Sequence, residues 1–258
     1  MTIPRDTFGW VDLASTDQEA AKKFYSELFE WEAQDGPLPD GGYYTNFTKD
    51  GKAVAGLGAT MAEGMPSMWS SYVLVDSADE KTKAAKEAGG QVFMEPMDVM
   101  EFGRMAFLAD PSGAAFGLWE PKTHKGAEMY GDHGSLAWNE LATRDLDAAR
   151  PFYEKVFGWE WESMDMGEGN MYHLGGIGQD KRAGGLDMGE MWPAEVPAHW
   201  DVYFAVDEHE AAAKKAVELG ATDMSGVIDV PMAGIMHYLQ DPTGAFFYIL
   251  QPAPRPEE

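Results

Sequence analysis

The sequence predicts an α+β protein built from two homologous halves, each a pair of β-α-β-β-β units. Three observations predict it. A block beginning Phe24-Tyr25 and ending Trp31-Glu32 recurs 128 residues later as Phe152-Tyr153 through Trp159-Glu160. The Asp110-Pro111-Ser112-Gly113 turn recurs 131 residues later as Asp241-Pro242-Thr243-Gly244, and Tyr72–Asp76 matches Tyr203–Asp207 at the same offset. Between these anchors, hydrophobic periods near two and near 3.6 alternate in a fixed order. An internal repeat of this kind governs the fold and is read before anything else.

The first unit opens with a strand over Phe8–Ala14, where Val11 and Leu13 share one face and Trp10 and Asp12 the other. Thr16 to Glu19 is a capping box that starts a helix, with the Thr16 hydroxyl accepting an orphan amide and Glu19 reaching back. The helix runs to about Phe29, and Ala20, Ala21, Phe24, Tyr25 and Leu28 form its apolar stripe. Strands follow at Tyr43–Thr48 and Lys52–Thr60, joined at Asp50-Gly51, a strong hairpin signal. The pattern then restarts with a strand at Ser70–Val75 and a helix at Ala78–Ala88, ended by Gly89-Gly90. Strands at Gln91–Met94, Arg104–Ala109 and Ala114–Trp119 complete the half, the last two joined by the Asp-Pro-x-Gly turn.

The second half repeats this with Leu136–Ala142, a helix over Leu146–Phe157, Met171–Leu174, Gly184–Met188, Asp201–Val206, a helix over Glu208–Leu219, Ile235–Leu239 and Ala245–Leu250. Pro151 predicts a kink or a late start in the first of these helices. The resulting domains are 1–122 and 135–258, with a polar linker at 123–134.

The chain has 258 residues, 45% hydrophobic and 24% charged, a globular composition long enough for a self-sufficient core. Its 19 basic and 44 acidic side chains give a net charge of −25, which opposes nucleic acid and anionic membranes. No apolar run approaches the length of a membrane helix, and the N-terminus lacks a signal-like stretch. There is no cysteine, so disulfides, thiolate metal sites and a cysteine nucleophile are ruled out. Together these give the expectation of a cytoplasmic protein. No phosphate loop, serine elbow or dinucleotide fingerprint is present.

The ordered, duplicated set of Asp17, Phe24, Tyr25 and Asp110-Pro111-Ser112-Gly113, recurring as Asp145, Phe152, Tyr153 and Asp241-Pro242-Thr243-Gly244, resembles the vicinal oxygen chelate superfamily. That superfamily holds glyoxalase I, bleomycin-resistance proteins and extradiol dioxygenases. The resemblance covers essentially the whole chain. It implies two tandem glyoxalase/bleomycin-resistance/dioxygenase-like domains, each a half-open eight-stranded sheet with helices on one face and a cavity on the other. It also implies, for catalytic members, a divalent metal held by His and Glu side chains in that cavity. The positions matching those ligands are Trp10, Gly56, Ser70 and Gly117 in the first half, and Trp138, Gly185, Asp201 and Tyr248 in the second. Indole has no lone pair to give and glycine has no side chain, so no cofactor is expected at the usual site.

Strand parity places Trp10, Asp12, Tyr72, Leu74, Gly117 and Trp119 on the cavity face of the first half. In the second half it places Trp138, Glu140, Asp201, Tyr203, Tyr248 and Leu250 there. Aromatic walls with a carboxylate favour a flat or cationic ligand. The expected ligand contacts are Trp10, Asp12, Tyr72, Trp119, Trp138, Glu140, Asp201, Tyr203 and Tyr248, and the second half keeps more polar tips. Asp12 and Glu140 are candidates for a general base, and Tyr203 and Tyr248 for proton donors; anchoring or structural hydrogen bonds are the plainer roles.

A divalent metal held by Glu140, His199, Asp201 and His237 is the alternative. His124 and His133, in the linker, and His209, opening a helix, are expected in solvent. The loops 95–103 and 225–234 are candidate lids or ordinary connectors.

The leading functional expectation is binding of a small aromatic or cationic organic molecule in a metal-free cavity, in detoxification or resistance, by a monomer or homodimer. The alternatives are a metal-dependent glyoxalase-like lyase or dioxygenase using the second half, and a non-catalytic interaction protein whose cavities are plugged.

Overall fold

The computed structural model describes residues 3–39, 41–167, 171–189 and 192–254. The first half contains β1 (Thr7–Ser15), α1 (Gln18–Phe29), β2 (Glu32–Pro37), β3 (Tyr43–Lys49), β4 (Lys52–Ala59), β5 (Met68–Leu74), α2 (Ala78–Glu87), β6 (Gln91–Val99), β7 (Gly103–Ala109) and β8 (Ala115–Pro121). The second half contains β9 (Leu136–Thr143), α3 (Leu146–Phe157), β10 (Glu160–Asp165), β11 (Met171–Ile177), β12 (Asp180–Asp187) and β13 (His199–Ala205). It ends with α4 (His209–Glu218), β14 (Thr222–Asp223), β15 (Ile228–Val230), β16 (Gly234–Gln240) and β17 (Phe246–Pro252). The strands form an eight-stranded sheet in the order β2-β3-β4-β1-β5-β8-β7-β6, and a nine-stranded sheet in the order β10-β11-β12-β9-β13-β17-β16-β14 with β15 paired to β16.

The ninth strand departs from the expected eight. β6 runs unbroken, whereas its counterpart is split into β14 and β15. Asp223 Oδ1 accepts from the backbone amides of Ser225 and Gly226, at 3.3 and 2.9 Å, folding a local turn into what is strand in the first half. Each candidate lid segment contains strand, β6 to Val99 in the first and β15 over Ile228–Val230 in the second.

β2 and β10 went unread in the sequence because they are edge strands with mostly exposed polar residues, so they carry no apolar alternation. The Asp50-Gly51 turn has positive φ at both residues, as the hairpin reading requires. The N-cap of α1 is Asp17, which accepts from the Ala20 amide at 3.0 Å; Asp145 caps α3 in the same way at Ala148. A carboxylate one residue further on outcompetes the Thr16 hydroxyl, which pairs instead with Ser67, while Glu19 takes Lys22 and Tyr43. α3 begins at Leu146 and continues through Pro151 without a late start.

The chain divides into two compact units, each assembled from one module of each half. One contains residues 1–10, 70–126 and 138–201; the other contains 11–69, 127–137 and 202–258. In the first unit the core gathers Phe8, Val73, Leu118, Phe152, Tyr153, Trp159 and Trp200 under α2 and α3. In the second, Leu13, Phe24, Tyr25, Trp31, Trp69, Phe204 and Phe247 pack under α1 and α4. Aromatic rings of this size contribute most of the apolar area that drives such packing.

The repeated sequence motifs meet inside these cores. In the first unit Trp200 Nε1 donates to the Tyr153 hydroxyl, which donates to Asp110 Oδ2, both at 2.9 Å. In the second, Trp69 Nε1 donates to Tyr25, which donates to Asp241 Oδ2, again both at 2.9 Å. The helix tyrosine of each half thus bonds the turn aspartate of the other half. The other oxygen of each aspartate shapes its own turn, accepting from Ser112 and Ala114 or from Thr243 and Ala245.

Candidate functional site

In the first unit, β9 turns Asn139 and Leu141 toward the helices and Trp138 and Glu140 toward the opposite, helix-free face. β12 pairs parallel to β9 with Gly184 beside Glu140, and β11 sets Tyr172 opposite Leu186, two residues along β12 from Gly184 and on the same face. Tyr172 Oη donates to Glu140 Oε2 at 2.6 Å and accepts from Trp138 Nε1 at 2.8 Å. This close group exists because residue 184 is glycine: a Cβ there would sit 1.8 Å from Tyr172 Oη. Burial, and then the charge of Glu140, push the Tyr172 phenol well above its ordinary value, so it stays protonated and able to donate.

Asp201 on β13 is 5% exposed and Glu140 9%, so two carboxylates are desolvated on this face. Asp201 Oδ2 lies 3.3 Å from His199 Nε2, while His199 Nδ1 faces the Pro197 carbonyl at 2.8 Å. Burial disfavours a charge on this imidazole, but the hydrogen bond and charge of Asp201 outweigh it, helped by Pro197 and Glu140, and its pKa is raised. With an acceptor at each nitrogen, the imidazolium is the form that fits. Trp192 packs edge-on against this ring, with centroids 5.1 Å apart.

Elsewhere in this unit the first-half residues are packed by one another. His124 stands edge-on to Trp10 (4.3 Å) and Trp119 (5.6 Å), and its carbonyl accepts from Trp119 Nε1 at 3.0 Å. The expected exposure of this linker histidine is corrected: two indoles offer it an apolar slot and a donor. Tyr72 fills the space over Gly117, where a Cβ would come within 2.1 Å of the ring.

The second unit carries the remaining candidates. Asp12 accepts from the Tyr44 hydroxyl at 3.3 Å, and Gly56, in register with Asp12, makes room for that hydroxyl as Gly184 does for Tyr172. The second-half counterpart of Gly56 is therefore Gly184. The residue matched from sequence, Gly185, faces Leu146 and Trp161 instead, because one step along a strand changes the face. Tyr203 and Tyr248 stack at 4.2 Å with nearly parallel rings, and Tyr238 continues the stack at 4.6 Å from Tyr248. His209 is half-buried and His237 buried on the helix-covered side; the partners of His237 are Asp223 and His209 rather than the other members of the alternative metal set, and His209 is only partly open to solvent. His133 accepts from the Asp207 amide and is likewise half-buried.

Tyr44 and Tyr172 went unnamed in the sequence reading. They are 128 residues apart, the same offset as the helix motif, and that recurrence was the available signal.

Glyoxalase-family models match both halves of the chain. The glyoxalase/bleomycin resistance protein/dioxygenase superfamily matches residues 7–118, and a glyoxalase-like domain family matches residues 138–250. The chain belongs to the glyoxalase/bleomycin-resistance/dioxygenase superfamily. Among this superfamily's curated members it is 44% identical over 253 residues to CFP32 of Mycobacterium tuberculosis, provisionally named a glyoxylase, covering 96% of each chain. It is 38% identical to the anthracycline biosynthesis protein DnrV of Streptomyces peucetius, covering 94% of this chain and 92% of that one. Among solved structures it resembles the Mn(II)-bound glyoxalase of Novosphingobium aromaticivorans, with TM-score 0.67, 16% identity, and coverage of 96% of this chain and 82% of that one. It also resembles the 2,3-dioxygenase LapB of Pseudomonas sp. KL28, with TM-score 0.66, 15% identity, and coverage of 97% and 93%. At these identities the structural likeness speaks for the fold.

The residues at the superfamily's ligand positions do not fit a divalent metal. Trp10 and Trp138 offer no lone pair, and the Tyr44 and Tyr172 hydroxyls occupy the space in which side chains at Gly56 and Gly184 would begin. Among the described residues, no three His, Asp or Glu side chains are grouped so as to hold a metal ion.

Proposed function

We propose that this superfamily member binds a small, flat organic molecule bearing positive charge, at the Glu140–Tyr172–Trp138–Asp201 group and without a metal ligand there, in detoxification or resistance. The observation that carries the reading is the pair of buried carboxylates among aromatic side chains, on a face where relatives keep donor residues. Glu140 and Asp201 keep Tyr172 and His199 as partners, and two carboxylates held out of bulk water favour a ligand of opposite charge, while an indole or phenol ring covers its flat face. The 38% identity to a protein of anthracycline biosynthesis supports a fused-ring aromatic as the ligand class.

The experiment is a tryptophan-fluorescence titration of the purified chain with 9-aminoacridine, a flat cation, and with anthraquinone-2-sulfonate, a flat anion. Saturable binding of the cation, weakened at least tenfold in Glu140→Gln, supports the reading. Absence of binding, or equal binding by the variant, refutes it.

A second reading applies to the first half. The packing of Trp10 and Trp119 on His124, and of Tyr72 over Gly117, supports a filled cavity there.

A further inference from the structure

A cluster of titratable groups lies outside this site, on the helix-covered side of the second-half sheet. His237 on β16 is 4% exposed. Its Nδ1 faces Asp223 Oδ2 on β14 at 2.8 Å, and its Nε2 faces Nδ1 of His209, the first residue of α4, at 3.1 Å. The repeat shows that such a module folds without imidazoles at the two histidine positions. At the 131-residue offset the first half has Ala78 for His209, Ala106 for His237 and Val92 for Asp223. The correspondence is structural as well. The amide of Ala78 donates to Glu120 and that of His209 to Gln251, each at 3.0 Å and each 42 residues along the chain. Ala78 and Ala106 are fully buried, and Val92 packs against the core. Asp223 serves the local turn through Oδ1, but the imidazole of His237 is buried where alanine fills the same place elsewhere in the chain, and a buried polar ring is costly unless both its nitrogens have partners.

We propose that His209 Nδ1 and His237 Nε2 form a binding site for a divalent transition ion of the zinc class. The two nitrogens already stand close to the separation of about 3.3 Å that two imidazoles adopt around a tetrahedral zinc ion, each at about 2.0–2.1 Å. The Asp223 carboxylate holds the proton on His237 Nδ1, which turns the Nε2 lone pair outward toward His209. A carboxylate behind a ligating histidine orients the ring in this way and makes it a better donor. His209 is half-buried at the end of its helix. The ion sits to one side of the line between the two nitrogens and replaces the hydrogen bond between the rings, the displaced proton leaving to water, and water completes its coordination. The imidazole pair favours zinc, nickel or copper over magnesium or calcium.

The test is isothermal titration of the chelator-treated full chain with Zn²⁺, and separately with Mg²⁺ to measure what the acidic surface alone retains. One Zn²⁺ should bind per chain, with an affinity at least tenfold above that for Mg²⁺. His209→Ala, which installs the residue the first half already carries there, should weaken Zn²⁺ binding at least tenfold while leaving the fold intact by circular dichroism. Asp223→Val should weaken it by a smaller factor. Zn²⁺ binding unchanged in His209→Ala overturns the proposal, as does wild-type binding no tighter than that of Mg²⁺. Because Glu140, His199 and Asp201 are untouched in both variants, these outcomes are independent of the organic-ligand reading.

Discussion

Replacing Tyr153 by phenylalanine removes one oxygen atom and, with it, two buried hydrogen bonds. The Trp200 indole N–H loses its acceptor and Asp110 Oδ2 loses its donor, both at 2.9 Å, at a fully buried side chain. A buried polar group left unpaired costs about 1–3 kcal/mol, toward the upper end when it is charged. The expected loss is therefore about 3 kcal/mol, or roughly 6–12 °C in Tm for a chain of this size.

The loss should also depend on pH. Burial raises the Asp110 pKa above its ordinary value, and hydrogen bonds from Ser112, Tyr153 and the backbone oppose that rise. A carboxyl raised in the folded state binds its proton more tightly there than in the unfolded chain. Its effect on stability is therefore unfavourable above that raised pKa and fades as pH falls through it. Removing the Tyr153 donor raises it further, so the deficit of Tyr153→Phe should be larger at pH 7 than at pH 4. The assay is urea unfolding at both pH values, with Tyr25→Phe as the equivalent change in the other unit. A deficit under about 1 kcal/mol at pH 7, or one that grows on acidification, refutes the reasoning.

Two further outcomes follow from the site. Gly184→Ala places a Cβ 1.8 Å from Tyr172 Oη, so the phenol must leave Glu140 and Trp138; the ultraviolet difference spectrum should show the tyrosine moving to a new environment, and 9-aminoacridine binding should fall at least tenfold. His199 should titrate above the ordinary 6.5 in two-dimensional NMR and drop toward or below it in Asp201→Asn, where burial remains and the opposing charge is gone. The stability His199 contributes is present below 6.5 and is lost as pH rises through its raised value; an unshifted His199 in the wild type would sink that assignment.

The repeat, the four modules and the faces of β1 and β9 were legible in the sequence, because a period of two or 3.6 follows from backbone geometry and a duplicated motif preserves its spacing. So was the lack of metal donors at Trp10 and Trp138, since donor chemistry belongs to the side chain itself. Other features depended on distance in space. Tyr153 reaches Asp110 and Tyr25 reaches Asp241, pairings between halves that no local pattern encodes. Gly184 replaced Gly185 because register is set by the neighbouring strand. Tyr172 came to Glu140, and His237 came to His209 and Asp223, only when the sheet brought separated strands side by side. The chain's own chemistry fixed which groups were available; packing decided which of them met, because a hydrogen bond requires its two atoms within about 3 Å wherever they lie in the chain.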